Sequence, residues 1–136
     1  MPDLQPVFDE LKRRLAEHED AFHATVNLTD ANAAGGRKVE APDTGTYVLL
    51  GAPTERYPDG QYFAGVKLGK RYVSYYLMSV YADPSMLDGI GPELRRRMQG
   101  KSCFNFTRVD PVLFDELAEL TARGREAFDR VGWLAR

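Results

Sequence analysis

The sequence predicts an α+β domain, an antiparallel β-sheet meander flanked by N-terminal and C-terminal α-helices. Three observations carry that expectation. Apolar residues recur at three-and-four spacing near both ends of the chain. Aromatic and β-branched runs between residues 46 and 81 are separated by short turn-rich segments. The length, 136 residues, suits one domain over residues 1–136 with a core of its own.

Taken in order, residues 4–19 read as an amphipathic helix. Leu4, Val7, Phe8, Leu11 and Leu15 share one face, with Asp3 as N-cap and Pro6 within the first turn. A short strand is expected between His23 and Leu28. Residues 29–45 are small, polar and broken by Gly35, Gly36 and Pro42, the composition of a long mobile surface loop. TYVLL (46–50), YFAGVKL (62–68) and RYVSYYLMSVY (71–81) then read as strands, with Gly69 and Lys70 turning the second into the third.

Asp83-Pro84 and Gly91-Pro92 each pair a cap with proline at the first helical position. They predict two short helices, the second being PELRRRMQ closed by Gly100. KSCFNF (101–106) reads as a returning strand. Asp110-Pro111 opens a helix with Leu113, Leu117 and Leu120 on one face and Gly124 at its end. A last short helix is expected to carry Phe128, Val131, Trp133 and Leu134 onto the sheet.

Charge and composition narrow the function. Eighteen basic and twenty acidic residues leave a net charge of −2, without the basic surplus of a nucleic-acid binder. No stretch approaches the roughly 20 apolar residues of a membrane span, and the N-terminus lacks the pattern of a signal peptide. One cysteine forms no internal disulfide, which fits a reducing cytoplasm. No Walker loop, dinucleotide fingerprint or zinc-ligand spacing occurs, so neither cofactor nor metal is expected.

Residues 70–106 hold the most informative segment. The 71–81 strand is apolar on both faces, with Tyr72, Ser74, Tyr76, Met78 and Val80 on one and Val73, Tyr75, Leu77 and Tyr81 on the other. A sheet with one solvated face alternates more cleanly. Helices are expected over one side, and the mobile loop, a second subunit or a ligand over part of the other. Tyr72, Tyr75, Tyr76, Lys101 and Cys103 are therefore the candidate binding residues. Tyrosine suits a half-wet surface because a polar tip ends an apolar body.

Other candidates are weaker. A catalytic thiol needs a neighbouring base, and the two histidines, His18 and His23, lie far from Cys103 in sequence. Lys101, on the same strand face, could lower the thiol pKa modestly. The HEDAFH segment spaces its histidines by five, which on one helix separates them by about 140°. Arg95, Arg96 and Arg97 are consecutive and splay around a helix rather than form a patch.

FAGVKLGKRYVSYYLMSVY, PSMLDGIGPELRRRMQGKSCFNF and DPVLFDELAEL together resemble the YdhG-like domain-of-unknown-function family of small bacterial proteins, a family grouped with frataxin-like iron chaperones. The resemblance covers approximately residues 62–122. The family pattern places a histidine at the position of Tyr76 and a proline at that of Ser79, so this chain lacks the ring nitrogen that could serve as base or ligand there. The resemblance implies a small α+β domain and, through the frataxin-like grouping, iron delivery. Hard iron favours clustered carboxylates. In the first helix Asp9, Glu10 and Glu17 are interleaved with Lys12, Arg13 and Arg14, so no metal ligand is assigned.

The leading expectation is a non-enzymatic cytoplasmic domain that binds a small molecule or a protein partner, with a homodimer among the alternatives. An iron chaperone and a thiol-dependent enzyme using Cys103 are the competing readings.

Overall fold

A computed structural model describes residues 3–25, 45–58 and 60–135. Among these residues five strands form one sheet in chain order: β1 (His23–Thr25), β2 (Thr46–Leu50), β3 (Tyr62–Leu68), β4 (Val73–Leu77) and β5 (Cys103–Phe106). Every neighbouring pair is antiparallel. Helices α1 (Gln5–Leu15) and α3 (Pro111–Arg130) pack on one face, and the short α2 (Pro92–Arg96) lies in the connection between β4 and β5. The fold is thus α+β, an antiparallel meander with helices at both ends. The expected mobile loop at residues 29–45 lies outside the described residues except for Gly45, as do positions 26–28 of the first strand. No helix among the described residues is long and apolar enough to cross a membrane.

The main core lies between sheet and helices. Val7, Phe8, Leu11 and Leu15 of α1 meet Tyr47, Val66, Val73, Tyr75, Phe104 and Phe106 from the sheet and Phe114, Leu117 and Phe128 from α3. Val48, Leu50 and Tyr62 form a second buried cluster on the opposite face, with Tyr76 and Met78 packed against it. A bulge in β3 separates the two. Leu49 pairs with Ala64 and Leu50 with Tyr62, so Phe63 is an extra residue in the ladder. Phe63 and Ala64 both enter the helix-side core, while Tyr62 goes to the other face.

Several boundaries differ from expectation, each for a physical reason. The first helix ends at Leu15 and tightens to a 3₁₀ turn over Ala16–His18; Asp3 accepts from the Gln5 amide (3.0 Å), but Leu4 holds the capping position. The third expected strand is shorter, because residues 69–72 form the turn and Met78–Tyr81 is 3₁₀ helix. The Ala82 and Asp83 amides both turn back to the Ser79 carbonyl (3.0 and 3.1 Å), so the chain leaves the sheet there.

The helix expected over 92–99 stops at Arg96 because the next residues pair with β5. The Gln99 amide donates to the Cys103 carbonyl (2.8 Å) and the Asn105 amide to the Arg97 carbonyl (2.8 Å). Gly100, at φ +86°, turns this hairpin instead of closing a helix. Gly124 ends nothing either. It lies inside α3, where a Cβ would stand 2.1 Å from Ser79 Oγ and 2.8 Å from Ser79 Cβ. Its missing side chain lets the 78–81 turn seat against α3. The helix ends at Arg130, and Gly132, φ +77°, turns the chain just beyond the cap, with the Trp133 amide donating back to the Phe128 carbonyl (2.8 Å). The expected last helix is therefore the end of α3 plus an extended tail. That tail is tied down by Ala52 N–H to the Trp133 carbonyl (2.8 Å) and Ala135 N–H to the Ala21 carbonyl (2.9 Å).

An ion-pair chain ties α1 to α3. Glu10 accepts from Arg13 and Arg14, and Arg14 also donates to Asp115 of α3 at 2.6 Å. Hydrogen bonds from the two guanidinium groups hold the Glu10 carboxyl at about 2, against an ordinary value of 4.5. A carboxyl with a depressed folded-state pKa stabilises above its unfolded value, and the contribution is lost as pH falls through the folded one.

Three substitutions test these contacts. Gly124→Ala should lower stability by about 1–3 kcal/mol through overpacking, beyond any helix-propensity gain. Ser79→Ala should be neutral or stabilising, because Ser79 Oγ is buried without a hydrogen-bond partner among the described residues; urea unfolding midpoints measure both. Glu10→Gln should cost about 1 kcal/mol at pH 7, given the partly exposed setting. The difference from wild type should shrink as pH drops below about 4.5 and disappear near 2, read from unfolding curves across that range.

Candidate functional site

The site is built on the outer face of β4 and β5, the face away from α1 and α3. Alternation sends Val73, Tyr75 and Leu77 inward and Ser74 and Tyr76 outward. Antiparallel pairing sets Ser74 opposite Asn105 and Tyr76 opposite Cys103. Asn105 is the hub of this floor. Its Oδ1 accepts from Ser74 Oγ (2.7 Å) and from the Cys103 thiol (3.4 Å), and its Nδ2 donates to Gln99 Oε1 (2.9 Å). The hairpin around Gly100 raises one wall, and the Tyr81 hydroxyl reaches Ser102 Oγ at 3.5 Å.

These groups enclose a cleft of about 380 Å³ lined by Tyr72, Tyr76, Met78, Tyr81, Lys101 and Cys103, among others. It is not isolated. Through Tyr72, Ser74 and Tyr76 it runs into a hollow of about 310 Å³ edged by Lys67, Lys70 and Arg71. Through Met78 and Tyr81 it runs into a wider one of about 660 Å³ walled by Tyr57, Tyr62 and Trp133. The result is a trough along the outer sheet face, aromatic at its wide end and basic at its narrow end.

The structure brings together four of the five expected binding residues, Tyr72, Tyr76, Lys101 and Cys103. It does not bring Tyr75. That side chain lies on the helix side, where its hydroxyl meets Thr121 Oγ1 (2.7 Å) and Thr121 donates to the Leu117 carbonyl (2.8 Å). Burial pushes its phenol above the ordinary range. The tyrosine belongs to the core, as alternation from Tyr76 requires. Sequence reasoning missed Tyr57, Tyr81, Trp133 and Asn105. Asn105 was legible as the residue two beyond Cys103 on the same strand face. Tyr57 and Trp133 come from a loop and the tail, and no local pattern points to them.

Cys103 is half-buried, and burial raises its thiol above the ordinary value, opposed by the neighbouring Ser74 and Tyr76 hydroxyls. Burial, not Lys101, governs it. Neither histidine reaches it. His23 sits on β1, the opposite edge of the sheet, four strand spacings or about 19 Å away. His18 lies on the helix side, edge-on to Phe63 and beside Arg125, and burial lowers its pKa. The HEDAFH segment is divided between a 3₁₀ turn and β1, so its histidines do not share a helix.

The three arginines also go separate ways. Arg95 donates to the Leu87 carbonyl (2.7 Å), Arg96 pairs with Glu93, and Arg97 is half-buried at the start of the hairpin. On α1, Asp9 accepts from Gln5 and Glu10 from Arg13 and Arg14. Among the described residues no three histidine, cysteine, aspartate or glutamate side chains converge as metal ligands. The iron-delivery expectation gains no donor set there.

No family model, curated protein or solved structure matches the chain. The family resemblance therefore stands on the sequence alone.

The raised thiol makes a measurable statement. At pH 7 the native protein should react with iodoacetamide several-fold more slowly than a free cysteine derivative, with the rate climbing only in alkaline solution. A rate equal to or above the free thiol would reveal an activated Cys103.

Proposed function

We propose that the protein is a non-enzymatic cytoplasmic binding domain whose working surface is the trough on the outer sheet face. The observation that supports this most is that three hollows adjoin along the trough. Aromatic and sulfur-bearing side chains from β3, β4, the 78–81 turn, the Gly100 hairpin and the C-terminal tail line them, and neighbouring hollows share Tyr72, Ser74 and Tyr76 or Met78 and Tyr81 as walls. Ligand sites are typically concave, mostly apolar and fitted with a few convergent polar groups. Here Ser74, Asn105, Gln99 and Cys103 are those groups, already tied to one another at the floor.

No nucleophile–base pair supports a catalytic role for the trough. Among the described residues Cys103 has no histidine in reach, and its thiol is held up by burial. A small molecule is favoured over a protein partner because the surface is concave rather than flat. Protein interfaces of standard size bury about 800 Å² per partner, an area better offered by a broad face than by a channel between a hairpin and a loop.

A fragment library titrated into isotopically labelled protein tests the reading. Binders should shift amide signals clustered at Tyr72, Tyr76, Met78, Tyr81, Cys103 and Trp133. Shifts clustered instead in the α1–α3 groove near Leu11, His18 and Ala118, or scattered without a focus, would overturn it.

A further inference from the structure

The distribution of charge along the trough says what its narrow end would take, given the binding role proposed above. Lys67, Lys70, Arg71 and Lys101 edge the two narrower hollows, and no described residue lining either hollow is acidic. This is an unusual place for the positive charge of a chain with net charge −2. Five cations on the rest of the described surface, Arg13, Arg14, Arg96, Arg125 and Arg130, each pair with a carboxylate. Among the described residues, none of the four trough cations does. Two aromatic faces accompany them. Tyr72 is 39% exposed despite its size, and Tyr76 is half-buried between the same two hollows.

We propose that the narrow end of the trough binds a small aromatic anion, its planar ring against Tyr72 and Tyr76 and its phosphate or carboxylate held by Lys70, Arg71 and Lys101. The volumes of about 310 and 380 Å³ sit at the lower end of ligand-pocket sizes, room for a ligand of mononucleotide scale. Tyrosine offers a flat apolar face with a polar rim. Arginine matches a planar or tetrahedral anion through paired N–H groups, and lysine adds a mobile point charge. A concave wall of one sign concentrates the field and draws counter-charged ligands. A nucleic-acid strand is disfavoured, since among the described residues the wide hollow adds a single cation, Arg56, next to Glu55, rather than a basic track across several nucleotides.

Cys103, the chain's sole cysteine, is a built-in reporter at the floor. The test compares its labelling rates with two methanethiosulfonates of similar size, the sulfonatoethyl anion and the trimethylammonioethyl cation. Each rate is normalised to that of a neutral free-cysteine derivative. At about 10 mM ionic strength, where the Debye length is about 30 Å, the anion-to-cation ratio at Cys103 should exceed the reference by about threefold or more. It should collapse in 1 M salt, where screening acts over about 3 Å. The double variant Lys70→Glu, Lys101→Glu, changed at exposed positions, should invert it. Adenosine monophosphate should slow the labelling more than adenosine or inorganic phosphate does.

The failures separate. A ratio equal to the reference overturns the anion preference while leaving an open trough. Protection by adenosine monophosphate no better than by phosphate overturns the role of the ring. A thiol that reacts with neither reagent until denaturant is added overturns the binding role of the trough itself.

Discussion

The stack of Phe63 on Phe22, with ring centroids 4.0 Å apart and nearly parallel, is the contact around which the rest is arranged. Phe63 is the surplus residue of the β3 bulge, so its inward turn is what sends Tyr62 to the opposite face. Phe128 of α3 meets both rings edge-on, at 6.0 and 5.2 Å, and Trp133 meets Phe128 at 5.2 Å. One aromatic chain therefore joins the start of β1, the middle of the sheet, the last helix and the tail. Edge-to-face pairs contribute about 0.5–1.5 kcal/mol each beyond their buried area. Their geometric effect is larger than that figure suggests. The same cluster that closes the helix-side core places Tyr62 and Trp133 as walls of the trough on the other side.

The trough itself reflects a division of labour between faces. The helix layer satisfies one side of the sheet with aliphatic and aromatic packing and a ring of ion pairs. On the other side, the β4–β5 floor carries Ser74, Asn105 and Cys103 in one hydrogen-bonded row. Partly buried polar groups that partner each other can remain in place without a helix above them. That is why half-exposed tyrosines and an uncharged thiol coexist beside four cations.

Much of this was legible in the sequence where local chemistry decides structure. β2 and β3 fall where their β-branched and aromatic runs begin and end, and Asp110 caps α3 through the Leu113 amide. The failures occur where distant packing overrides a local signal. Gly124 reads as a helix stop, yet Ser79, 45 positions away, needs its missing Cβ. Arg97, Met98 and Gln99 have helical propensity, but the β5 edge offers them a ladder. The candidate site was legible as a cluster on 72–76 and 101–103. Tyr75 was grouped with Tyr72 and Tyr76 although the alternation of the strand already sets it on the other face. Tyr57 and Trp133 were invisible because only the tertiary fold brings them to the trough.

The hairpin around Gly100 has a consequence for the outer edge of the sheet. An unpaired edge strand is a template onto which a foreign chain can add. Along β5 the Asn105 amide and the Cys103 carbonyl, the groups such a chain would seek, are already engaged by Arg97 and Gln99. The protein covers this stretch of edge with its own 97–99 segment, joined by a single bridge at Met98 and Phe104. A chain approaching the rim at residues 103–105 meets side chains there, because the main-chain vocabulary of strand addition is spoken for at those positions.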